Sequence, residues 1–194
     1  MAAAWEELNS RDPLYAALRL NANCGPVVIS DQLDLYRRTQ DDLLVSAIQK
    51  NGYMLYFTDG AVCDKDGNAA VSAQTDMVDA ARLLQTVYEL CMHAQMEITQ
   101  TEAGCAYTLA LGEDGMKSVA SAIAPAAEDM DILFDSGSVR LTIMDGEIQS
   151  IQVSCSGNVK IMLSGAAVAF EAELDLSQES MDLTIPETVI QALK

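Results

Sequence analysis

The sequence predicts an α+β fold in which one large antiparallel β-sheet is covered by helices. Segments that alternate apolar and polar residues are separated by turn pairs such as Asn51-Gly52 and Asp145-Gly146, and they predict about nine strands. One long segment, residues 74–95, instead has apolar residues three and four positions apart, which predicts a helix. Strands and helices are segregated along the chain, which favours an antiparallel sheet over βαβ units. The chain has 194 residues, 50% of them apolar, which predicts one domain over residues 1–194 with a sizeable core.

The first third of the chain predicts a short helix followed by four strands. Residues 2–9 can form a helix with Trp5 and Leu8 on one face, and Arg11-Asp12-Pro13 ends it. The strands predicted after it are residues 15–23, 27–38, 43–50 and 53–58, the last with a continuation at 61–63. Apolar residues in phase predict the buried faces of these strands: Ala16, Leu18 and Leu20; Ile29, Leu33 and Leu35; Leu44 and Ile48.

The middle of the chain supplies the helices that would cover the sheet. Thr75 can cap the start of the 74–95 helix, and Met77, Leu84 and Tyr88 lie on its apolar face. Residues 98–111 return to alternation and predict a strand, and residues 116–124 predict a short helix. The following segment, "PAAEDMD", is either a turn or another short helix.

The last third of the chain predicts a meander of four strands, residues 139–144, 147–155, 159–163 and 166–176. A two-residue turn at Ser164-Gly165 would pair Val159 with Phe170 and place both on one face. Residues 183–185 predict a last short strand, and Pro186 can begin a small terminal helix.

The hairpin around Asp145-Gly146 contains an irregularity, because its apolar face changes sides between Ile148 and Ile151. One extra residue at Gln149-Ser150, a β-bulge, would return Ile151 to the side of Ile148 and would curve the strand. The bulge predicts that six residues face the helices: Val139, Leu141, Ile143, Ile148, Ile151 and Val153. The alternative is that both faces of the hairpin are covered locally.

Charge and apolar patterning exclude several partners. The formal net charge is −18, from 29 acidic and 11 basic residues. Such a chain repels phosphate backbones and anionic membrane surfaces, so neither a nucleic acid nor a membrane surface is expected as a partner. No apolar run approaches the roughly 18 residues that a transmembrane helix needs. The start "MAAAWEEL" has no signal-peptide pattern, so the protein is either cytoplasmic or follows a removed leader.

The search for catalytic and metal-binding patterns finds no set of residues that names a reaction. His93 is the only histidine, and no nucleophile motif accompanies it, so we expect no enzyme, no metal site and no cofactor. "DKDGN", residues 64–68, lacks the glycine and glutamate positions of a calcium loop and is interpreted as a turn, as is "GEDG", residues 112–115. Five cysteines without a CxxC motif are predicted to be mostly small buried side chains, although one or two disulfides stay open as an alternative.

Ten methionines are many for this length. Methionine fills irregular gaps in a core and also adapts to varied apolar ligands, so flexible packing and an apolar cavity are alternative interpretations. The lining predicted for such a cavity between helices and sheet is Met77, Leu84, Tyr88, Leu141, Ile143 and Phe170.

The order of elements resembles a known group of proteins. A short helix with "WEEL", a strand entered at "DPLYAALRLNAN", antiparallel strands, a covering helix and a meander ending in "DLTIPETVIQALK" are similar to bacterial extracytoplasmic lipoproteins of the LolA/LppX/RseB-like superfamily. The resemblance implies a curved half-barrel sheet with helices on its concave face. It also implies a non-catalytic binding or carrier domain for an apolar or lipid-like ligand in the cell envelope, anchored to the membrane through a removed N-terminal segment. The alternative function is a protein-interaction or envelope-sensing domain that contacts an envelope protein through the sheet edge or the acidic face.

Overall fold

The strands of the protein form one sheet. The computed structural model describes residues 1–24, 27–58, 61–69, 80–92, 94–101, 104–161, 164–176 and 183–194. The strands are β1 (Leu14–Cys24), β2 (Val27–Gln40), β3 (Leu43–Lys50), β4 (Tyr53–Phe57), β5 (Val62–Asp64), β6 (Glu97–Thr101), β7 (Gly104–Ala110), β8 (Ile132–Met144), β9 (Glu147–Ile161) and β10 (Ser164–Asp175). Their order is β5-β4-β3-β2-β1-β10-β9-β8-β7-β6, and every pairing is antiparallel. Among the described residues β5 and β6 do not pair with each other, so the sheet is open.

Helices pack against both faces of this sheet. They are α1 (Ala2–Ser10), α2 (Ala80–Met92), α3 (Glu113–Ile123) and α4 (Glu187–Leu193), with a 3₁₀ helix at Pro125–Asp129. Buried side chains of α1, α2 and α3 join one core with Leu18 and Leu33, whereas those of α4 join a second core with Tyr15 and Tyr36. Because consecutive strand residues point to opposite faces, these two cores lie on opposite sides of the sheet.

The predicted fold class is confirmed: the protein is α+β, with a large open antiparallel sheet and three helices against one face. The described part of the chain has ten strands, where the sequence predicts about nine. It has four α-helices, where the sequence predicts two or three helices on the covered face. The α4 helix was foreseen at Pro186, but its position on the second face was not.

The turn pairs in the sequence form hairpins as predicted. Asn51 and Gly52 have φ of 51° and 82°, and Asp145 and Gly146 have φ of 53° and 88°. Two consecutive positive φ angles identify the type I′ turn, whose twist matches that of the flanking strands. These turns fix the register of β3 with β4 and of β8 with β9 next to each turn. In β3, alternation therefore predicts which residues are buried. Leu44 is the exception, since it is 52% exposed although it shares the phase of buried Ile48.

The strand predicted over residues 98–111 is wrong, because the segment forms two strands, β6 and β7. Gly104 begins β7 with φ of +126°, which only glycine adopts without strain. A Cβ atom at this position would lie 2.3 Å from the carbonyl oxygen of Ile143 on β8. Ile98 of β6 is not in phase with Tyr107 and Leu109 of β7, so the phase of the apolar residues already distinguished the two strands.

The predicted four-strand meander is also wrong, since β8, β9 and β10 are three long strands. The predicted strands 147–155 and 159–163 leave Gly157 between them, but Gly157 lies inside β9, where a Cβ atom would be 2.3 Å from the carbonyl oxygen of Leu133. The Ser164-Gly165 turn is wrong as well: Val159 pairs with Ala166, and Phe170 pairs with Cys155. The two registers keep the same residues on each face, so alternation alone could not distinguish them.

Two further segments differ from their prediction. The 183–185 segment is not a strand; its backbone is held by side chains of β2 instead, where the Gln40 amide donates to the Ile185 carbonyl and accepts from the Ile185 N–H at 3.0 and 3.2 Å. The "GEDG" segment begins α3, with Gly112 as the residue before its first turn. The proposed cap at Thr75 lies outside the described residues.

The β-bulge in the β8–β9 hairpin is confirmed. Ile143 pairs with Ile148 and Thr142 pairs with Ser150, which leaves Gln149 as the extra residue. The Gln149 carbonyl accepts a hydrogen bond from the Leu176 N–H at 2.8 Å, so the bulge also holds the end of β10. Five of the six residues predicted to face the helices are buried, namely Val139, Leu141, Ile148, Ile151 and Val153, and Ile143 is half-buried against the same core.

Candidate functional site

A cavity of about 380 Å³ lies between α1, α2 and the sheet. It is within the range of roughly 300 to 1,000 Å³ that is typical of small-molecule sites. Its floor is formed by β1 to β4 and β10, and its cover by the two helices. The lining consists of Trp5, Leu8, Asn9, Leu14, Ala16, Leu35, Tyr36, Arg37, Ser46, Ile48, Phe57, Leu84, Gln85, Tyr88, Leu174 and Leu176.

The wall between the two helices is aromatic. The rings of Trp5 on α1 and Tyr88 on α2 meet edge to face, with centroids 5.5 Å apart and planes at 80°. Trp5 is only 3% exposed, and its indole N–H has no hydrogen-bond acceptor among the described residues. Packing rather than hydrogen bonding therefore holds Trp5 in place. It is the only tryptophan of the chain, so its fluorescence reports on this wall.

An arginine of the sheet holds α1 over the cavity. The Arg37 Nη2 donates to the carbonyl oxygens of Leu8 and Arg11 at 2.7 and 2.8 Å, which lie at the carboxyl end of α1. A cation at this end of a helix satisfies free carbonyls and suits the helix dipole. Arg11 in turn pairs with Glu7 at 2.8 Å and with Glu147 of β9 at 3.4 Å. These contacts join the end of α1 to β2 and β9.

Arg37 is the only charged side chain in the described lining; the other polar residues there are Asn9, Ser46 and Gln85, apart from the aromatic residues. Burial lowers the pKa of the Arg37 guanidinium, partly offset by the attraction of the Asp12 carboxylate, but an arginine stays protonated at neutral pH. Sequence reasoning missed Arg37. The signal was present, because Arg37 continues the phase of Leu33 and Leu35 and so belongs on the buried face of β2.

The structure brings two of the six predicted lining residues to the cavity. Leu84 and Tyr88 of α2 line it. Leu141 and Phe170 are fully buried in the core of the sheet, away from the cavity lining, and Ile143 packs half-buried against that core. Met77 lies outside the described residues. The difference arises because α1 and α2 leave space over β1 to β4 and the end of β10, whereas the part of the sheet that contains Leu141 and Phe170 is packed.

Four of the cysteines have described side chains, and three of these are buried. Cys63, Cys91 and Cys155 are buried, Cys105 is half-buried, and all four are free thiols. Burial raises the pKa of the Cys91 thiol to about 11 and that of Cys155 to about 12. Both therefore stay protonated at neutral pH, and a protonated thiol is a poor nucleophile and a poor metal ligand.

The remaining candidate patterns have structural roles or lie outside the described residues. The predicted turn at "DKDGN" is confirmed, since one Asp64 carboxylate oxygen accepts from the N–H groups of Asp66 and Asn68, both at 2.9 Å. The side chains in the described ranges contain no group of three or more potential metal ligands. His93 is not among the described residues.

None of the described helices is both long enough and apolar enough to cross a membrane.

No protein-family model matches the chain, and no curated protein matches it.

Proposed function

We propose that the protein is a non-catalytic binding or carrier domain whose ligand is an apolar or lipid-like molecule held between α1, α2 and the sheet. The observation that carries this proposal is the cavity of about 380 Å³ with a mainly apolar lining. A well-formed apolar pocket with a few polar groups is the usual form of a small-molecule site.

The composition of the cavity supports an apolar ligand. Its floor presents Leu14, Ala16, Leu35 and Ile48, and its cover presents Leu84 beside the aromatic pair. Filling this space with an apolar group would remove the surface of these side chains from water, which contributes about 25 cal/mol for each Å². The described lining contains no thiol and no carboxylate.

The proposal is supported by the resemblance to LolA/LppX/RseB-like lipoproteins, which have a large antiparallel sheet with helices on one face. An extracytoplasmic location with a membrane anchor belongs to the same proposal. A fold supports many functions, so the resemblance adds plausibility and the cavity carries the inference.

A cavity-blocking substitution tests the proposal. Ser46 lines the cavity from β3, and Ser46→Phe would place a ring in it. Ser154→Phe is the matched control, because Ser154 is an exposed residue on the other face of β9. We expect the apolar dye N-phenylnaphthylamine to bind the native protein and the control equally, and to bind Ser46→Phe at least about tenfold more weakly, a change of 1.4 kcal/mol.

Circular dichroism and thermal unfolding check that both variants are folded. Quenching or a shift of Trp5 fluorescence provides an independent signal for binding beside the aromatic wall. Equal dye affinity in all three proteins, or no dye binding by the native protein, would refute the proposed function.

The alternative, a protein-interaction domain, is favoured by a different observation. β6 has one strand neighbour in the described part of the sheet, and Ile98 on it is 63% exposed. An edge strand with an exposed apolar side chain can pair with a strand of another protein. Failure of the native protein to bind the dye would make this alternative the better account.

A further inference from the structure

We infer that the ligand of the cavity is an anionic single-chain amphiphile whose head group pairs with Arg37 while its chain occupies the apolar part of the cavity. The inference rests on the proposed function and names the chemical class of its ligand. It follows from the charges around Arg37, from the hydrogen-bond donors that this side chain has left, and from the apolar surface next to it.

Within the described part of the chain, Arg37 is a half-buried cation that forms no ion pair with a carboxylate. Ion pairs within 4.0 Å between described residues involve, among the basic residues, Arg11, Arg19, Lys50, Arg82 and Lys117. Arg37 has no such pair among the described residues, although the chain has 29 acidic residues. The Asp12 carboxylate attracts the Arg37 guanidinium, but both of its oxygens accept from the Thr39 N–H at 3.1 Å, and the positive charge of Arg11 opposes this attraction.

The guanidinium of Arg37 is only partly used. Its Nη2 donates to the carbonyls of Leu8 and Arg11. A guanidinium has five N–H donors, and the three on Nη1 and Nε have no acceptor among the described residues. These two nitrogens are not fully buried, because the Trp5 indole nitrogen is the one buried side-chain polar atom without a partner in the described structure. The free edge of the guanidinium is therefore in contact with solvent, on a residue that lines the cavity.

This free edge suits an anion better than a neutral group. A planar guanidinium donates two parallel hydrogen bonds to a carboxylate, phosphate or sulfate, and such charge-assisted bonds are about twice as strong as neutral ones. Ser46 lies directly opposite Arg37 in the β2–β3 pairing and offers a hydroxyl beside the same position. An anionic head group at Arg37 would neutralise a partly desolvated cation, which is costly to leave unpaired.

The apolar lining next to Arg37 accounts for the chain of the amphiphile. Leu35 precedes Arg37 by two positions on the same face of β2, and Leu84 and Tyr88 cover that face from α2. A free inorganic anion would leave this surface in contact with water, and a pure hydrocarbon would leave Arg37 unpaired. A molecule with both parts satisfies the site. The net charge of −18 opposes such a ligand at long range, but charges more than about 8 Å away are largely screened at physiological salt.

Displacement of N-phenylnaphthylamine by matched ligands tests the inference. The ligands are decanoate, decyl phosphate, decanol and decyltrimethylammonium, all below their micelle concentrations, with acetate and inorganic phosphate as anions without a chain. The measured quantity is the ratio of decanol to decanoate dissociation constants in the native protein, in Arg37→Gln and in Arg140→Gln. The last is a matched control, because it removes the same charge from an exposed position on β8, on the other face of the sheet.

We expect this ratio to fall about tenfold or more in Arg37→Gln, as for loss of a hydrogen bond between charged groups, and to stay unchanged in Arg140→Gln. Arg37→Lys keeps the charge but not the planar fork, so it should retain part of the preference and also shows that the effect does not depend on loss of the fold. Decyltrimethylammonium should bind the native protein more weakly than decanol, and acetate and inorganic phosphate should not displace the dye.

An unchanged ratio in Arg37→Gln would overturn the inference while leaving the proposed function intact, provided that decanol still displaces the dye. Displacement by acetate or inorganic phosphate alone would also overturn it, because the site would then be an anion site without a chain. Failure of every chain-bearing ligand to displace the dye would refute the proposed function and the inference together.

Discussion

Deletion of a single residue from β9 tests whether the bulge at Gln149 keeps the apolar face of the strand turned inward. Gln149 has no partner on β8, because Ile143 pairs with Ile148 and Thr142 pairs with Ser150. Removal of Gln149 therefore closes the bulge and leaves all the other pairs in their present register. Both Ile148 and Ile151 stay in the core.

Deletion of Gln152 removes the same length of chain but has a different consequence. Val153 keeps its pairing, so Ile151 must move into the position of Gln152 on the opposite face, and Ser150 enters the core in its place. In the native protein the Ile151 side chain is 2% exposed, and transferring it to water reduces the free energy of unfolding by about 1.5–3 kcal/mol. Burial of the Ser150 hydroxyl without a partner costs about 1–3 kcal/mol more. We expect the Gln152 deletion to be less stable than the Gln149 deletion by about 3–5 kcal/mol.

Urea unfolding followed by circular dichroism and by Trp5 fluorescence measures this difference. Both deletions abolish the bulge and disturb the hydrogen bond from the Leu176 N–H to the Gln149 carbonyl, so this common effect cancels in the comparison. Equal midpoints and slopes for the two deletion variants would refute the reasoning, since they would mean that the bulge does not determine which residues are buried.

Two further predictions concern buried positions. Gly157→Ala should destabilise the protein by about 2–4 kcal/mol in urea unfolding, because its Cβ would overlap the backbone carbonyl of Leu133. Gly137→Ala should change stability by less than about 1.5 kcal/mol, because the nearest neighbour of its Cβ is the flexible side chain of Met116. Equal losses of stability in the two variants would contradict this prediction. The thiol pKa values predict a loss of stability at alkaline pH. The folded-state pKa values of Cys91 and Cys155 lie above the ordinary value of 9.0, so the contribution of each protonated thiol to the stability of the folded state is complete below about pH 9. This contribution declines as the pH rises towards 11 to 12. Between pH 8 and pH 10, each thiol should account for a decrease of about 1–1.5 kcal/mol in the free energy of unfolding. The free energy of unfolding of the corresponding Cys→Ala variants should therefore decline less steeply with pH. An unchanged pH dependence in these variants would contradict the prediction.

The sequence predicted features that depend on local rules. Turn pairs with positive φ, alternation within strands and the helical spacing of residues 80–92 each follow from the nearest neighbours in the chain. The bulge at Gln149 could be found in the same way, because a change of phase within one strand has few explanations. Arg37 could have been found from its phase, but a charged residue on an apolar face was not recognised as part of a site.

Features that depend on distant contacts could not be predicted. Gly157 looks like a turn residue in the sequence, and only the approach of the Leu133 carbonyl reveals why glycine occupies the middle of a strand. The register of β9 with β10 is invisible to alternation, because pairings that differ by an even shift bury the same residues. The position of the cavity likewise depends on which part of the sheet α1 and α2 pack against, and the sequence of either helix does not specify this.

The position of α4 on the second face has a consequence for the order of folding. Its side chains Val189, Ile190 and Leu193 complete the core that contains Tyr36 and Tyr56, and the contact between Gln40 and Ile185 closes a separation of 145 residues. Strands β1 to β5 therefore cannot bury both of their faces until nearly the whole chain has collapsed around them. Such non-local closure slows folding, and it leaves apolar strands open to aggregation in partly folded states.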